Sequence, residues 1–158
     1  MLLVPQASVT AELLLLLRLL AAGAVGGVLG WEREQARKPA GLRTHMLVAI
    51  AAALYTVLAE LMAQEGALGE GGQRSDPVRA IQAIAMGIGF LGGGVIFVAP
   101  RGEQVHGLTT AGSIWATAAV GIAAGLAHYV LAAGATLILL IVLRVMVKFE
   151  PIQREERP

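Results

Sequence analysis

From Leu108 to Leu143 the chain carries no Lys, Arg, Asp or Glu over 36 residues. One straight helix of that length would rise about 54 Å at 1.5 Å per residue. The hydrocarbon core of a bilayer is only about 30 Å thick, so the run must fold back on itself. Gly125-Leu126-Ala127-His128 supplies the corner. Two membrane spans result, about 109–125 and 127–148, joined by a very tight turn. The first of them is short, which leaves a re-entrant segment open as its alternative.

The rest of the chain repeats the pattern. Residues of the AVILMFWYC set make up 56% of the sequence, glycine adds 20 more positions, and only 15% are charged. Soluble chains average about 25% charged residues, and the mean hydropathy of +0.71 is that of a membrane protein. Cutting wherever charge, Pro or turn residues cluster gives three further spans, about 11–31, 45–63 and 78–98. The expected fold is an all-α membrane protein, a compact bundle of about five transmembrane helices. It forms one membrane domain over 1–148 with a short tail over 149–158. A cleaved signal peptide is disfavoured, because the stretch before Leu13 has no basic residue and Arg18 interrupts the apolar run.

The scarce charges set an orientation. Arg33, Arg37, Lys38, Arg43, Arg101, Arg144, Lys148, Arg154 and Arg157 fall on one side, and Arg74 and Arg79 on the other. The positive-inside rule then places the C-terminus in the cytoplasm and the N-terminus on the outer side of the membrane. A net charge of +1 provides no basic field for nucleic acid. Without cysteine there is no disulfide framework, thiolate metal site or cysteine nucleophile.

Four groups of residues stand out within the spans and at their ends. Gly23, Gly26, Gly27 and Gly30 form two GxxxG pairs in span one, repeated by Gly89/Gly93 and Gly121/Gly125. Such pairs let helix backbones approach closely in lipid, within one chain, in a homo-oligomer or against another membrane protein. Gly87, Gly89, Phe90, Gly92, Gly93 and Gly94 crowd the middle of span three, where a broken helix would suit a transport site. Arg18 lies deep in span one, and an outer polar cluster of Arg18, Glu60, Asp76 and Arg79 is expected to compensate it. At the cytoplasmic face Glu32, Arg33, Arg43, Thr44, His45, His106, Thr109 and Thr110 converge. Thr44 and Thr109 or Thr110 suit helix N-caps, and two helix N-termini beside Arg33 and Arg43 would favour an anionic group.

These strings resemble the MgtC/SapB family of bacterial membrane proteins. The resemblance is carried by GGVLGWEREQARKPAGLRTHMLVAIAAALYT, DPVRAIQAIAMGIGFLGGGVI and VHGLTTAGSIWATAAVGIAAGLAHY, in the family's order, over roughly residues 11–145. It implies a five-span inner-membrane domain linked to growth in low magnesium, with ion transport as one reading. The other is a non-transporting regulator that binds a membrane protein such as the ATP synthase. The family motifs cover Arg18, Glu32, Arg33, Gly41, Arg43, Thr44, His45, Asp76, Arg79, Gly87, Gly89, Phe90, Gly92, Gly107, Thr109, Thr110 and Trp115. Gly93 and Gly94 depart from the family's usual Ala-Gly. Longer members append a soluble C-terminal domain, which is not expected after the short tail KFEPIQREERP.

Chemistry narrows these readings further. Magnesium takes oxygen ligands, usually one or two carboxylates plus water, and Glu12, Glu32, Glu60 and Asp76 all lie near span ends. A dehydrating midplane cage is therefore not expected; under the transport reading a hydrated path, or carbonyls freed around Gly87–Gly94, stays open as the alternative. No GxxxxGK[ST], HExxH or GxSxG string occurs, so no enzyme and no resident cofactor is expected, with magnesium as ligand or substrate only.

Overall fold

The structure is a computed structural model, and it describes residues 8–67, 77–98 and 105–146. Five helices are present: α1 Val9–Gln35, α2 Leu42–Ala67, α3 Pro77–Val95, α4 Leu108–Gly125 and α5 Tyr129–Val145. The first four are long and apolar enough to cross a membrane, and α5 is a shorter apolar helix. The all-α membrane bundle read from the sequence is what forms. The only strands among the described residues are β1 Phe97–Val98 and β2 Val105–His106, an antiparallel ladder pairing Phe97 with His106.

Element boundaries move for physical reasons. Helices α1 and α2 run past the charges at their ends, because a charge at a membrane edge is solvated without unwinding the backbone. Helix α3 ends at Val95 rather than 98, because the chain then enters the ladder. The proposed tail over 149–158, like the loop around Arg74 and Asp76, lies outside the described residues.

The helices alternate in direction. Arg18 of α1 meets Glu60 of α2 and the carbonyl of Gly125 at the end of α4. At the opposite end His45 of α2 meets Ser113 of α4. We call these the Arg18 end and the His45 end. Helix α4 packs against all four others. It buries Thr110, Ala111, Ser113, Ile114, Thr117, Ala118, Val120, Gly121, Ala124 and Gly125. Its weak hydropathy is thus the mark of the central helix, and it runs unbroken instead of re-entering.

Small residues make the central contact possible. A Cβ on Gly26 of α1 would stand 2.7 Å from both the Ala49 Cβ and the His45 carbonyl oxygen. On the other side of Ala49, a Cβ on Gly121 of α4 would strike its carbonyl oxygen and lie 2.8 Å from its Cα. Gly125 stands against Ala53 in the same way, and Gly30 against Leu42. Ala22, Ala49, Ala53, Val120, Ala124 and Ala132 form the core where α1, α2, α4 and α5 meet. Buried hydroxyls within it serve themselves: Thr56, Thr117 and Thr136 donate to carbonyls one turn back at 2.8 Å.

The corner between α4 and α5 is as tight as the charge-free run required. His128 N donates to Ala123 O at 2.9 Å and Ala127 N to Ala124 O at 3.0 Å, closing a Schellman-type turn. Ala127 sits at its left-handed position with φ 61°. An L residue there costs about 1–2 kcal/mol, partly offset by the unfolded-state entropy that glycine would add. Ala127→Gly should accordingly raise stability by about 0.5 kcal/mol, read from reversible unfolding in mixed micelles.

Candidate functional site

At the Arg18 end, Arg18 Nη1 reaches Glu60 Oε2 at 2.6 Å and donates to the Gly125 carbonyl at 3.1 Å. This settles how a deep arginine is tolerated: it meets a carboxylate on α2 and an unclaimed carbonyl at the C-terminus of α4. The pair is half-buried. Arg79 is exposed and makes no hydrogen bond or ion pair with a described residue, and Asp76 lies outside the described residues. Of the four residues in the expected outer cluster, two are brought together. Glu60 also lines a cleft of about 370 Å³ with Thr56, Gln64, Ile81 and Leu126.

The His45 end holds the larger polar group. Arg33 follows Gly26, Leu29 and Gly30 on the buried face of α1, at helical spacing. It is 1% exposed, and its Nη1 lies 3.6 Å from Glu32 Oε2, an ion pair too long for a hydrogen bond. Arg33 Nε, Arg33 Nη2 and Glu32 Oε2 are buried without a hydrogen-bond partner. Nε and Nη2 form the two-pronged edge of a guanidinium. Leaving it bare costs folding energy, as expected of a residue retained for more than packing.

His45 is fully buried across the contact. Its Nδ1 donates to the Gly41 carbonyl at 2.9 Å, and its Nε2 stands 3.1 Å from Ser113 Oγ. Ser113 Oγ in turn lies 2.8 Å from the Thr110 carbonyl. Ser113 and Thr117 were not picked out from sequence, although the spacing of Thr110, Ser113 and Thr117 marks one polar stripe on α4. Arg43 and Thr44 are outside this core. They line a polar cleft of about 490 Å³ with Glu34, Lys38, Pro39, Gly41 and Leu42. Thr109 and His106 are exposed, as is Trp115.

Neither expected threonine cap forms. Helix α2 starts at Leu42, so Thr44 is already inside it, and the Leu42 N–H is taken by Glu34 Oε2 at 2.8 Å. A carboxylate arriving from the end of α1 both satisfies an orphan donor and complements the helix dipole. Helix α4 is preceded by Gly107 with φ 87° and has no side-chain cap. A threonine could not hold that conformation.

The expected break in span three is also absent. Helix α3 continues through Gly87, Gly89, Phe90, Gly92, Gly93 and Gly94 to Val95. Glycine costs about 1 kcal/mol per position against alanine in water. Exposing unpaired backbone groups to lipid costs several kcal/mol each, so the helix persists. A Cβ on Gly92 would lie 3.6 Å from the Ala111 Cβ, while one on Gly87, Gly89, Gly93 or Gly94 would meet nothing within 4 Å. Phe90 is 82% exposed. Between α3 and α2 runs an apolar groove of about 640 Å³, walled by Leu47, Ala51 and Tyr55 on one side and Ala80, Ala83, Gly87 and Leu91 on the other.

Gly23, Gly26, Gly27 and Gly30 all face α2. Their GxxxG pairs are spent inside the chain, whereas Gly89 and Gly93 remain open. Among the described residues no group of three or more His, Cys, Asp or Glu is placed to hold a metal ion.

The sequence model of the MgtC family matches residues 19–152. The chain belongs to the MgtC family. A Haemophilus influenzae protein described as uncharacterized is 38% identical over 133 residues, covering 84% of this chain and 56% of that protein. Protein MgtC of Brucella abortus is 42% identical over 101 residues, covering 64% of this chain and 38% of the relative. An Escherichia coli K12 protein named "Putative magnesium transporter YhiD" is 38% identical over 137 residues, 86% of this chain and 61% of its own length. The chain thus spans less than two thirds of these relatives. No solved structure matches it. Family membership agrees with the motif reading, and the structure gathers Glu32, Arg33, His45 and Thr110 from those motifs at one end of the bundle.

Proposed function

We propose that this chain serves magnesium homeostasis in the bacterial inner membrane as a non-transporting regulator, gripping a second membrane protein through the open Gly89/Gly93 face of α3. The link to magnesium rests on the family and on the name of the Escherichia coli relative. The observation that carries the regulator reading is the open Gly89/Gly93 pair of α3, where an added Cβ would meet nothing within 4 Å. Every other GxxxG pair in the described helices has a neighbouring helix on it, and small residues without one suit a helix from outside. The central contact among α1, α2 and α4, by contrast, is closed backbone against backbone at Gly26, Ala49 and Gly121. The partner that the family resemblance suggests is the ATP synthase.

Affinity purification from bacterial membranes, paired with flux in liposomes, tests this. ATP synthase should co-purify with the chain, Gly89→Leu/Gly93→Leu should lose it while remaining folded, and magnesium should not cross above the rate of empty vesicles. Transport is the second reading, favoured by the relative's name. Magnesium flux that the double substitution leaves unchanged would replace the regulator reading with it.

The proposed orientation puts the His45 end, with Arg33, Arg37, Lys38 and Arg43, in the cytoplasm. With no native cysteine, single probes report cleanly. Lys38→Cys should react from the cytoplasmic side and Gly71→Cys from outside; the reverse pattern inverts the topology.

A further inference from the structure

His45 sits between two partners of different kinds. The Gly41 carbonyl can only accept, so at 2.9 Å it fixes a proton on Nδ1. The nitrogen left to titrate is Nε2, and it faces a hydroxyl, which can donate or accept. Ser113 has one hydroxyl proton and two acceptors within reach, His45 Nε2 at 3.1 Å and the Thr110 carbonyl at 2.8 Å. It cannot serve both.

We propose that His45 is a buried proton-binding site, in which the Ser113 hydroxyl turns between the imidazole and the Thr110 carbonyl as the ring loses or gains a proton. With the ring neutral, Ser113 donates to the Nε2 lone pair, and the Thr110 carbonyl keeps only its helical partner. When a proton binds, that lone pair becomes an N–H bond, Nε2–H donates to Ser113 Oγ, and the hydroxyl swings to Thr110. Each charge state has a complete set of hydrogen bonds, and a single torsion separates them. Nε2 thus has a partner in either state, which an apolar or a donor-only neighbour would not provide.

The surrounding charges oppose one another. Helix α1 brings Arg33 and Glu32, a pair of opposite sign. Helix α4 carries no charged side chain, α3 carries only Arg79 at the far end, and Arg144 of α5 is exposed. On α2 itself Arg43 is exposed and Glu60 lies at the other end. Protons arrive from the polar cleft that Gly41 and Thr44 line, one turn from the ring. Because the hydroxyl belongs to α4 and the imidazole to α2, protonation alters the joint between the two helices that Ala49 and Gly121 close. This inference is independent of the open Gly89/Gly93 face of α3.

The test uses His106→Gln/His128→Gln protein in lipid nanodiscs, leaving His45 as the one imidazole, with nitrogen NMR of the ring followed through acid pH. Nδ1 should stay protonated throughout while Nε2 gains its proton, and the Ser113 and Ile114 amide signals should shift with the same midpoint. Ser113→Ala removes a partner from both states, and because the bond to the charged ring is the stronger it should need about tenfold more acid to half-protonate the ring. Ser113→Thr, which keeps a hydroxyl, should titrate near the parent. A ring that stays in one form until the protein unfolds overturns the proposal, as does a Ser113→Ala ring that titrates like the parent. Should Ser113→Ala not fold, the parent spectra decide: α4 amides that ignore the ring's midpoint also overturn it.

Discussion

Gly121→Ala is expected to cost about 3 kcal/mol of stability, while the same change at Gly93 should be neutral or add up to about 1 kcal/mol. Both are glycines of a GxxxG pair in an apolar helix, so sequence treats them alike. At 121 the new methyl would fall on the Ala49 carbonyl oxygen and lie 2.8 Å from its Cα, both backbone atoms. Backbone cannot swing aside as a side chain can, and Ala49 is held from behind by Gly26, where the clearance to its Cβ is 2.7 Å. Helix α4 must therefore shift bodily against α2, at the upper end of what overpacking costs. At 93 a Cβ meets nothing within 4 Å, leaving only the better helix propensity of alanine. Reversible unfolding in mixed detergent micelles compares the two. Equal effects would mean that α4 does not seat against α2 as described.

That contrast marks where sequence reasoning stops. The spans and the α4–α5 corner were legible because a charge-free run longer than a bilayer must turn, and helices in lipid cannot leave backbone groups unpaired. Arg18 with Glu60 was legible because a deep charge has few available partners. Which glycine pairs are occupied was not, since that depends on helix order in space. The threonine caps failed because Thr44 stands near a helix start, as a cap would, while the group that caps α2, Glu34, belongs to the preceding helix. The break expected in α3 failed because glycine's helix cost is a value for water. Burial of Arg33 could have been read from its spacing after Gly26 and Gly30, but its bare guanidinium edge could not. Membership of the family was legible in the motifs at Arg43, Gly87 and Gly107 well before any geometry.

Gly107→Ala should cost about 3 kcal/mol, and the damage should reach the polar group at the His45 end. Gly107 has φ 87°, a conformation that costs an L residue about 1–2 kcal/mol by itself. Its missing Cβ would also fall on the Val95 carbonyl oxygen, 2.9 Å from the Val95 carbonyl carbon and 3.3 Å from Ile96 Cα. Ala127, at φ 61°, shows that this chain tolerates a left-handed alanine elsewhere. At 107 strain and contact combine, because the end of α3 passes directly against the start of α4. Relief requires α4 to start later or to tilt. Either moves Thr110 and Ser113, within the first two turns of that helix, away from His45. The histidine would then lose its hydroxyl partner while Gly41 still holds Nδ1. Unfolding measurements should therefore report the loss of stability together with a changed environment of the His45 ring nitrogens. A variant that is destabilised but keeps the native ring signals would confine the strain to the loop and detach the start of α4 from the His45 site.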